Sequence, residues 1–191
     1  LRAGFYCQTR VIEIGGKVDE RVAPGEEGEL IVEASPDQMF TGYLNRPEAT
    51  AEAVVDGWYH TGDVCLLRED GDYDLIGRTG DMVRSGGENI HPSEIEPHLN
   101  SHPNIQESAI IGLKDATWGE IVVACVVADN TDAADINAHM QTTPLANFKR
   151  PKAYLFVEVL PRNAANKVLR RELIVIADEM RKSGDASFQE V

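Results

Sequence analysis

The chain has 191 residues, with 18 basic and 32 acidic side chains, so its formal net charge is −14. Hydrophobic residues make up 42% of the chain, which is enough for a folded core and excludes a disordered tail. The net acidity argues against general binding to nucleic acids or anionic membranes, because both require a basic surface. No stretch approaches the roughly 20 apolar residues of a membrane helix, and we expect no transmembrane or signal segment.

The first third of the chain predicts β-structure interrupted by one helix. Four β-prone runs are predicted as strands: Val11–Val18, Gly28–Ala34, Val64–Leu67 and Tyr73–Ile76. The last two flank an Asp70-Gly71 turn, which is typical of a hairpin. A helix is predicted over Pro47–Val55 because proline stands at its first position and Gly57 follows its end.

Beyond Gly80 the pattern changes to alternating helices and strands. Three helices are predicted: one from the capping box Ser93–Glu96 to about Ser101, one over Asp132–Gln141 and one over Val168–Arg181. Three strands are predicted between them: Glu107–Leu113, Ile121–Ala128 and Tyr154–Val159. We therefore expect an α+β fold, with a β-rich subdomain over residues 1–79 and a domain with a small sheet flanked by helices over residues 80–191.

The three cysteines, Cys7, Cys65 and Cys125, stand far apart on apolar runs. Their odd number and wide spacing predict buried free thiols and no disulfide framework. Free thiols are typical of a reducing compartment, so we expect a cytoplasmic protein.

Positive charge is concentrated in one region of this acidic chain. Residues 149–171 carry seven basic side chains: Lys149, Arg150, Lys152, Arg162, Lys167, Arg170 and Arg171. Only Glu158 opposes them, which leaves 7 − 1 = +6. Such a cluster indicates either a phosphate or carboxylate ligand or a solvated surface.

Three segments combine turn residues with side chains that contact anions or hydroxyl groups. Tyr59–Asp63 (YHTGD) places an aspartate after a glycine turn, either to accept two sugar hydroxyls or as part of a plain hairpin. Gly77–Glu96 is rich in glycine, which suits a hinge, a close backbone approach to a ligand, or two simple turns joined by a strand. Pro161–Arg171 presents Lys167 before a helix, either as a mobile phosphate ligand or as an ordinary surface lysine.

Taken in order, these segments resemble the C-terminal motifs of the AMP-forming acyl-CoA synthetases, in the adenylate-forming superfamily. The upstream run GEL at 28–30, followed by GYLNRPEAT at 42–50, is similar to the same family's sequence. Within the family, SGGENIHPSEIE, FKRPK and NKVLRREL are most similar to aryl- and fatty-acyl-CoA ligases, the chlorobenzoate type in particular.

The resemblance implies a two-step reaction on a fatty or aromatic carboxylic acid. The acid reacts with ATP to give acyl-AMP and pyrophosphate, and coenzyme A then displaces AMP while a small C-terminal domain rotates. The family's phosphate loop, adenine motif and acyl pocket would lie upstream of Leu1. We therefore expect a piece of a longer polypeptide, the end of the large domain plus the mobile domain, which is inactive without the missing N-terminal part.

The resemblance also assigns roles to individual residues. Asp63 and Arg78 match the residues that hold the ribose and phosphate of ATP, and Lys167 matches the adenylation lysine. The hinge falls at Gly80, where the family usually has aspartate or lysine, and Asp81 follows it.

Coenzyme A contacts transfer to six residues: Gly86, Gly87, Trp118, Phe148, Arg150 and Lys152. The glycines would let the pantetheine arm pass close to the backbone. The aromatic rings would flank the nucleotide, unless they pack in the core, and the basic side chains would bind its phosphates.

Other functions remain open from the sequence. His98 and His102 stand four residues apart on a predicted helix, a spacing that can bind a metal, but we expect no metal site because the family's Mg²⁺ travels with ATP. The acyl acceptor could be a carrier protein, although the basic FKRPK run favours free coenzyme A. A non-catalytic module that binds nucleotide or coenzyme A is the second alternative.

Overall fold

The computed structural model describes residues 8–34 and 42–191, and the prediction for Cys7 lies outside them. The chain divides into two compact units, which we call unit 1 (Leu1–Gly80) and unit 2 (Asp81–Val191). The division falls one residue after the predicted boundary. Within the described ranges, no helix is both long and apolar enough to cross a membrane.

Unit 1 is built on a five-stranded antiparallel sheet. Its elements are β1 (Thr9–Ile12), β2 (Glu27–Glu33), α1 (Pro47–Ala53), β3 (Val54–Val55), β4 (Trp58–Leu67) and β5 (Tyr73–Arg78). The strands lie in the order β1-β2-β4-β3, and β5 pairs with β4. Small apolar clusters form around Cys65 and Trp58.

The predicted elements of unit 1 are found, with shorter or longer bounds. The strand predicted over Val11–Val18 ends at Ile12, because the N–H of Glu13 bonds the carbonyl of Glu20 and the chain reverses between them. The predicted helix ends at Ala53, because the β-branched pair Val54–Val55 joins the sheet as β3 instead.

Unit 2 is built on a six-stranded mixed sheet with helices on both faces. Its elements are β6 (Val83–Ser85), β7 (Glu88–Ile90), α2 (Pro92–Leu99), β8 (Ile105–Asp115), β9 (Gly119–Ala128), α3 (Ala133–Thr142), β10 (Ala153–Phe156), α4 (Arg170–Ser183) and β11 (Phe188–Glu190), with a 3₁₀ turn at Asn147–Lys149. The strand order is β11-β10-β9-β6-β7, with β8 on β9. Strands β9 and β10 run parallel.

The continuous apolar run of β9 explains this layered arrangement. Side chains alternate across a strand, so Val122, Ala124 and Val126 point to one face and join a core with α2 and α3. Val123 and Cys125 point to the other face and join a core with α4. A strand buried on both faces needs a helix layer on each, which gives the predicted α+β domain.

Three helix starts in unit 2 differ from the predictions by one or two residues, and among them α4 begins at Arg170 and not at the predicted Val168. Helix α2 begins at Pro92 with His91 as its cap, and the Glu94 carboxylate accepts the His91 N–H at 3.4 Å. The capping position is therefore two residues before the predicted Ser93, because Pro92 is preorganised for the first turn. Helix α3 begins at Ala133, one residue after the predicted start, because Asp132 is its cap and the Asp132 side chain accepts the N–H of Asp135.

The described cysteines are free and buried, as predicted. Burial raises the pKa of the Cys65 thiol to about 11 and that of Cys125 to about 12. Both thiols therefore stay protonated and unreactive at neutral pH.

Helix α4 offers a matched test of core packing in unit 2. Leu173 is fully buried in the core beneath α4, whereas Val175, two residues along the same helix, is 57% exposed. Replacing Leu173 by alanine should lower the free energy of unfolding by about 2–5 kcal/mol, because a cavity is left. Val175→Ala should change it by less than about 0.5 kcal/mol. Urea denaturation followed by helical circular dichroism measures both, and similar losses would contradict the burial.

Candidate functional site

Asp63 and Arg78 face each other across the β4–β5 pair. The strand register places the two residues directly opposite one another. Arg78 Nη1 lies 2.9 Å from Asp63 Oδ1, and Arg78 Nη2 donates to the carbonyl of Thr61 at 2.9 Å. Neither side chain is fully buried, so the pair forms a polar site open to solvent. No described residue bonds the second oxygen, Asp63 Oδ2, which leaves an acceptor for a ligand hydroxyl.

The turn that carries Asp63 is fixed from beneath by a buried carboxylate. Glu29 is 7% exposed, and it accepts the N–H of Gly62 and faces His60 Nδ1, each at 3.2 Å. Gly62 has φ +71°, and a Cβ there would stand 3.2 Å from Arg78 Nη2. The backbone angle favours glycine at this position, and a Cβ there would require the tip of the Arg78 side chain to shift by a few tenths of an ångström.

Lys167 lies on a short loop that closes on itself before α4. Asn163 holds the loop, because its side-chain oxygen accepts the Lys167 N–H and its own N–H donates to the Lys167 carbonyl, both at 2.9 Å. Asn166 takes a left-handed φ of +62° at the tip. The backbone of Lys167 is thus fixed, whereas its exposed ammonium has no partner among the described residues.

The predicted glycine pair forms the turn of the β6–β7 hairpin. Ser85 pairs with Glu88, so Gly86 and Gly87 are the two loop residues, with φ of +61° and +89°. Positive φ at both positions is the twist that favours glycine in a two-residue hairpin. The Trp118 ring lies over Gly86, where a Cβ would stand 3.0 Å from the indole carbon Cε3.

Trp118 is held by its backbone and not by burial of its ring. Asp115 accepts the N–H groups of Thr117 and Trp118, at 2.9 and 3.1 Å, and these bonds lower the pKa of its carboxyl. The Trp118 carbonyl accepts the Gly86 N–H at 2.9 Å. The ring remains 51% exposed, so the alternative that Trp118 is a core residue is wrong.

Phe148, Arg150 and Lys152 follow one another into the start of β10. Phe148 is 46% exposed and therefore is not a core residue either. The Lys152 N–H donates to Val122 at 2.8 Å, which places this run beside the beginning of β9. Arg150 Nη2 makes only two long contacts of 3.5 Å to backbone carbonyls, and its buried Nε has no partner among the described residues.

The predicted coenzyme A residues lie together at one edge of the sheet, by which we mean the side where β9 and β10 begin. Strands β9 and β10 are parallel and begin at the same edge, where Trp118 and Lys152 precede them. Ser85 pairs with Gly119, which brings the Gly86 turn to that edge as well. We call this edge, with Gly86, Gly87, Trp118, Phe148, Arg150 and Lys152, the glycine-turn edge.

The Lys167 loop lies at the opposite edge of the same sheet. Arg162, which bridges to Val168 across the loop, has Nη2 2.9 Å from Glu107 Oε2. Glu107 pairs with Val127, near the end of β9. The eight residue steps from Gly119 to Val127 span about 26 Å in an extended strand. The two groups of predicted residues are therefore separated by most of the sheet.

The predicted hinge residues stand at the junction of the two units. Gly80 is the last residue of unit 1, with φ outside the left-handed region, and no described atom lies within 4 Å of where its Cβ would stand. An aspartate or lysine would fit there, so the departure from the family's usual residue is sterically neutral. Asp81 begins unit 2, with Oδ2 3.4 Å from Arg170 Nη1.

The basic residues at 149–171 do not form one surface. Lys149 pairs with Glu94 at 2.5 Å, Arg162 pairs with Glu107, and Arg170 pairs with two carboxylates. The interpretation of a single cationic cluster is therefore wrong, because folding neutralises part of the charge and separates Lys152 from Lys167.

Helix α2 ends at Leu99, so His102 lies beyond it and does not form the predicted helical pair with His98. His102 is 5% exposed and has Nε2 3.4 Å from Asp135 Oδ2, while its ring meets that of His139 edge-on. Among the residues that the structure describes, no group of three or more candidate ligands is placed to hold a metal ion.

Two supporting residues were missed by the sequence analysis. Glu29 had a signal, since it is a carboxylate inside an otherwise apolar strand. Arg170 was treated only as one of the seven basic residues at 149–171. The sequence alone does not indicate which of the adjacent Arg170 and Arg171 side chains is directed toward the interior of unit 2.

Residues 94–167 match the family model described as the AMP-binding enzyme C-terminal domain. The chain is 45% identical over 174 residues to a 4-chlorobenzoate–CoA ligase from an Arthrobacter species, an alignment that covers 91% of this chain and 33% of the relative. It thus spans about a third of the length of the curated relatives that it matches.

Solved structures show the same relationship. An o-succinylbenzoate CoA synthetase from Bacillus subtilis, bound to its acyl-adenylate intermediate, matches with TM-score 0.76 and 33% identity, over 88% of this chain and 34% of that chain. The same enzyme with ATP and a magnesium ion matches with TM-score 0.75 and 32% identity, over 88% and 34%. Residues 94–167 therefore belong to the AMP-binding enzyme C-terminal domain family, and the chain is similar to a segment that makes up about a third of the CoA ligases named above.

Proposed function

We propose that this chain is part of a longer acid–CoA ligase that works in two steps. A carboxylate oxygen attacks the α-phosphorus of ATP, the bond to pyrophosphate breaks, and acyl-AMP forms. The coenzyme A thiol then gives up its proton and attacks the acyl carbon, and AMP leaves. The observation that carries this proposal is the division of the predicted residues between two opposite edges of one sheet.

The sheet edges suit a rotation between the two steps. Arg170 Nε donates to the carbonyl of Ile110 at 3.2 Å, and Ile110 pairs with Ala124 near the middle of β9. Asp81, which contacts Arg170, is therefore anchored between the Lys167 loop and the glycine-turn edge. A rotation about Gly80–Asp81 would exchange one edge for the other at a shared active site, as a two-step enzyme requires.

In the adenylation step, Lys167 would bridge the substrate carboxylate and the α-phosphate. Its unpaired ammonium on a fixed backbone supports this role, because a compact positive charge offsets repulsion between two approaching anions. Asp63 would accept the ribose hydroxyls through its second oxygen, while Arg78 donates to ribose and phosphate. Mg²⁺ would accompany the ATP phosphates without a protein metal site of its own.

In the thioester step, the glycine-turn edge would bind coenzyme A. The Gly86–Gly87 turn has no side chain in the way of a pantetheine arm. The half-exposed rings of Trp118 and Phe148 can stack on adenine, and Arg150 and Lys152 can meet its phosphates. The basic residues here favour free coenzyme A over a carrier protein as the acceptor.

We propose an aromatic acid as the substrate class. The relative and the structures described above carry the names of benzoate-type substrates. Long-chain fatty acids are the alternative, and the choice of acid in the exchange assay distinguishes the two classes. The buried, free thiols of Cys65 and Cys125 suit a cytoplasmic enzyme.

Carboxylate-dependent exchange between ATP and pyrophosphate tests this proposal. We expect the full-length polypeptide that contains this segment to catalyse exchange with aromatic acids from a panel that also includes short- and long-chain acids. The segment alone should be inactive and serves as the control. A folded full-length protein that binds coenzyme A but exchanges with no acid would contradict the proposal and favour a non-catalytic binding module. Saturation of acyl transfer by a holo carrier protein and not by coenzyme A would contradict the choice of acceptor.

A further inference from the structure

Arg170, the first residue of α4, joins three separate parts of unit 2. Its Nη2 lies 2.7 Å from Glu96 Oε1 on α2, and its Nη1 lies 3.4 Å from Asp81 Oδ2. Its Nε donates to the carbonyl of Ile110 on β8. The side chain is only 19% exposed. All three guanidinium nitrogens are therefore used, in a fork that only arginine can supply.

The second carboxylate of this network is fixed independently. Glu96 Oε1 also accepts the N–H of Ile110 at 2.9 Å, so Glu96 is held by β8 as well as by its own helix. Arg170 therefore binds to a rigid group and not to a mobile surface carboxylate. The position of the first residue of α4 is set by the sheet and by α2.

The Lys167 loop depends on that position. Lys167 and Arg170 are three positions apart along the chain, a reach of at most about 11 Å. The loop closes on itself, since the Leu169 N–H donates to the carbonyl of Pro161 at 2.8 Å and Val168 bridges to Arg162. A closed loop moves together with the residues that attach it to the rest of unit 2. Arg162 and Arg170 are the two charged attachment residues, and the Arg170 side chain is the less exposed of the two.

The other charged attachment is weaker. Arg162 contacts Glu107, whose side chain is 47% exposed, and such surface ion pairs contribute little to holding a geometry. Arg171, the next residue after Arg170, is exposed and has no partner among the described residues. The two adjacent arginines thus differ in burial and contacts but not in chemical type.

We propose that Arg170 is a positioning residue for adenylation, an inference that rests on the proposed function. Through its contacts with Asp81, Glu96 and Ile110, it fixes the Lys167 loop to the rest of unit 2. The distance between Lys167 and the hinge at Gly80–Asp81 therefore stays constant throughout the reaction. Arg170 does not touch the reacting atoms and acts only through Lys167.

The test compares the two half-reactions in variants of the full-length polypeptide. Arg170→Gln should lower kcat of pyrophosphate exchange by about 10- to 100-fold, because a misplacement of about 1 Å can cost that much. The KM for ATP should be unchanged, since Asp63 and Arg78 belong to unit 1. The thioester step, started from preformed acyl-AMP, should also be unchanged because it uses the opposite edge of the sheet. Arg170→Lys, which keeps the charge but loses the fork, should be intermediate.

Controls separate positioning from general damage. Arg171→Gln makes the same chemical change one residue away and should leave both half-reactions unchanged. Glu96→Gln keeps an acceptor for Ile110 but removes the charge, and should weaken exchange selectively even if Arg170→Gln does not fold. Equal loss in both half-reactions from a protein with an unchanged melting temperature would overturn the proposal, and so would unaltered exchange. Failure of the proposed function is recognised separately, by a wild-type protein without exchange or a Lys167→Ala variant that retains it.

Discussion

Replacing Lys167 by alanine should slow adenylation by about 10²–10³-fold or more and leave the thioester step intact. The lysine offsets charge as the carboxylate and the α-phosphate approach each other. A unit charge pair at 4 Å is worth roughly 4 kcal/mol at an effective dielectric near 20, which is enough for an effect of this size. The backbone bonds from Asn163 do not involve the lysine side chain, so the loop should keep its shape in the variant.

The two half-reactions are measured separately on the full-length polypeptide. Pyrophosphate exchange follows adenylation, and acyl transfer from preformed acyl-AMP follows the second step. Lys182→Ala is the matched control, since this lysine is 73% exposed and pairs only with Asp178 on its own helix. An equal loss in both half-reactions would show that Lys167 does not act specifically in adenylation.

Replacing Arg150 by alanine should raise the KM for coenzyme A by about 10- to 100-fold and leave that for ATP unchanged. A hydrogen bond to a charged group contributes about 1.5–3 kcal/mol, which corresponds to this range. The side chain makes only long contacts of 3.5 Å to the carbonyls of Gln141 and Thr143. Its charge is therefore not neutralised within the described part of the chain and remains available for a phosphate.

Steady-state kinetics with coenzyme A and ATP varied in turn measure this effect. Lys149→Ala is the matched control, because it removes one positive charge from the neighbouring position while Lys149 is already paired with Glu94. An unaltered KM for coenzyme A in Arg150→Ala would refute the contact. A parallel rise for Lys149→Ala would indicate a general electrostatic effect of the surface.

The two predictions concern opposite edges of one sheet and therefore constrain each other. Lys167 should matter only in the first step, and Arg150 only in the second. This reciprocal pattern is what a rotating domain requires, since each edge faces the reacting atoms in one step only. Two residues on a static surface would affect both steps together.

The sequence by itself determined most of the local structure and the family. Proline and glycine positions marked the helix in unit 1, and the apolar spacing along α4 identified its buried side, with Leu173 and Ala177 in the core. Local signals of this kind depend on a few neighbouring residues, so they can be read without the fold. The motifs around Asp63, Gly86 and Lys167 likewise pointed to the adenylate-forming enzymes.

Tertiary structure alone decided which charges are free and which edge each group occupies. Lys149, Arg162 and Arg170 look like Lys167 in the sequence, yet folding pairs them with carboxylates from 55 to 89 positions away, while the described part of the chain leaves Lys167 unpaired. Long-range pairing depends on strand order and register, which the local pattern does not encode. The parallel β9–β10 pair then places Trp118 and Lys152 at one edge and the Lys167 loop at the other, because parallel strands begin at the same edge.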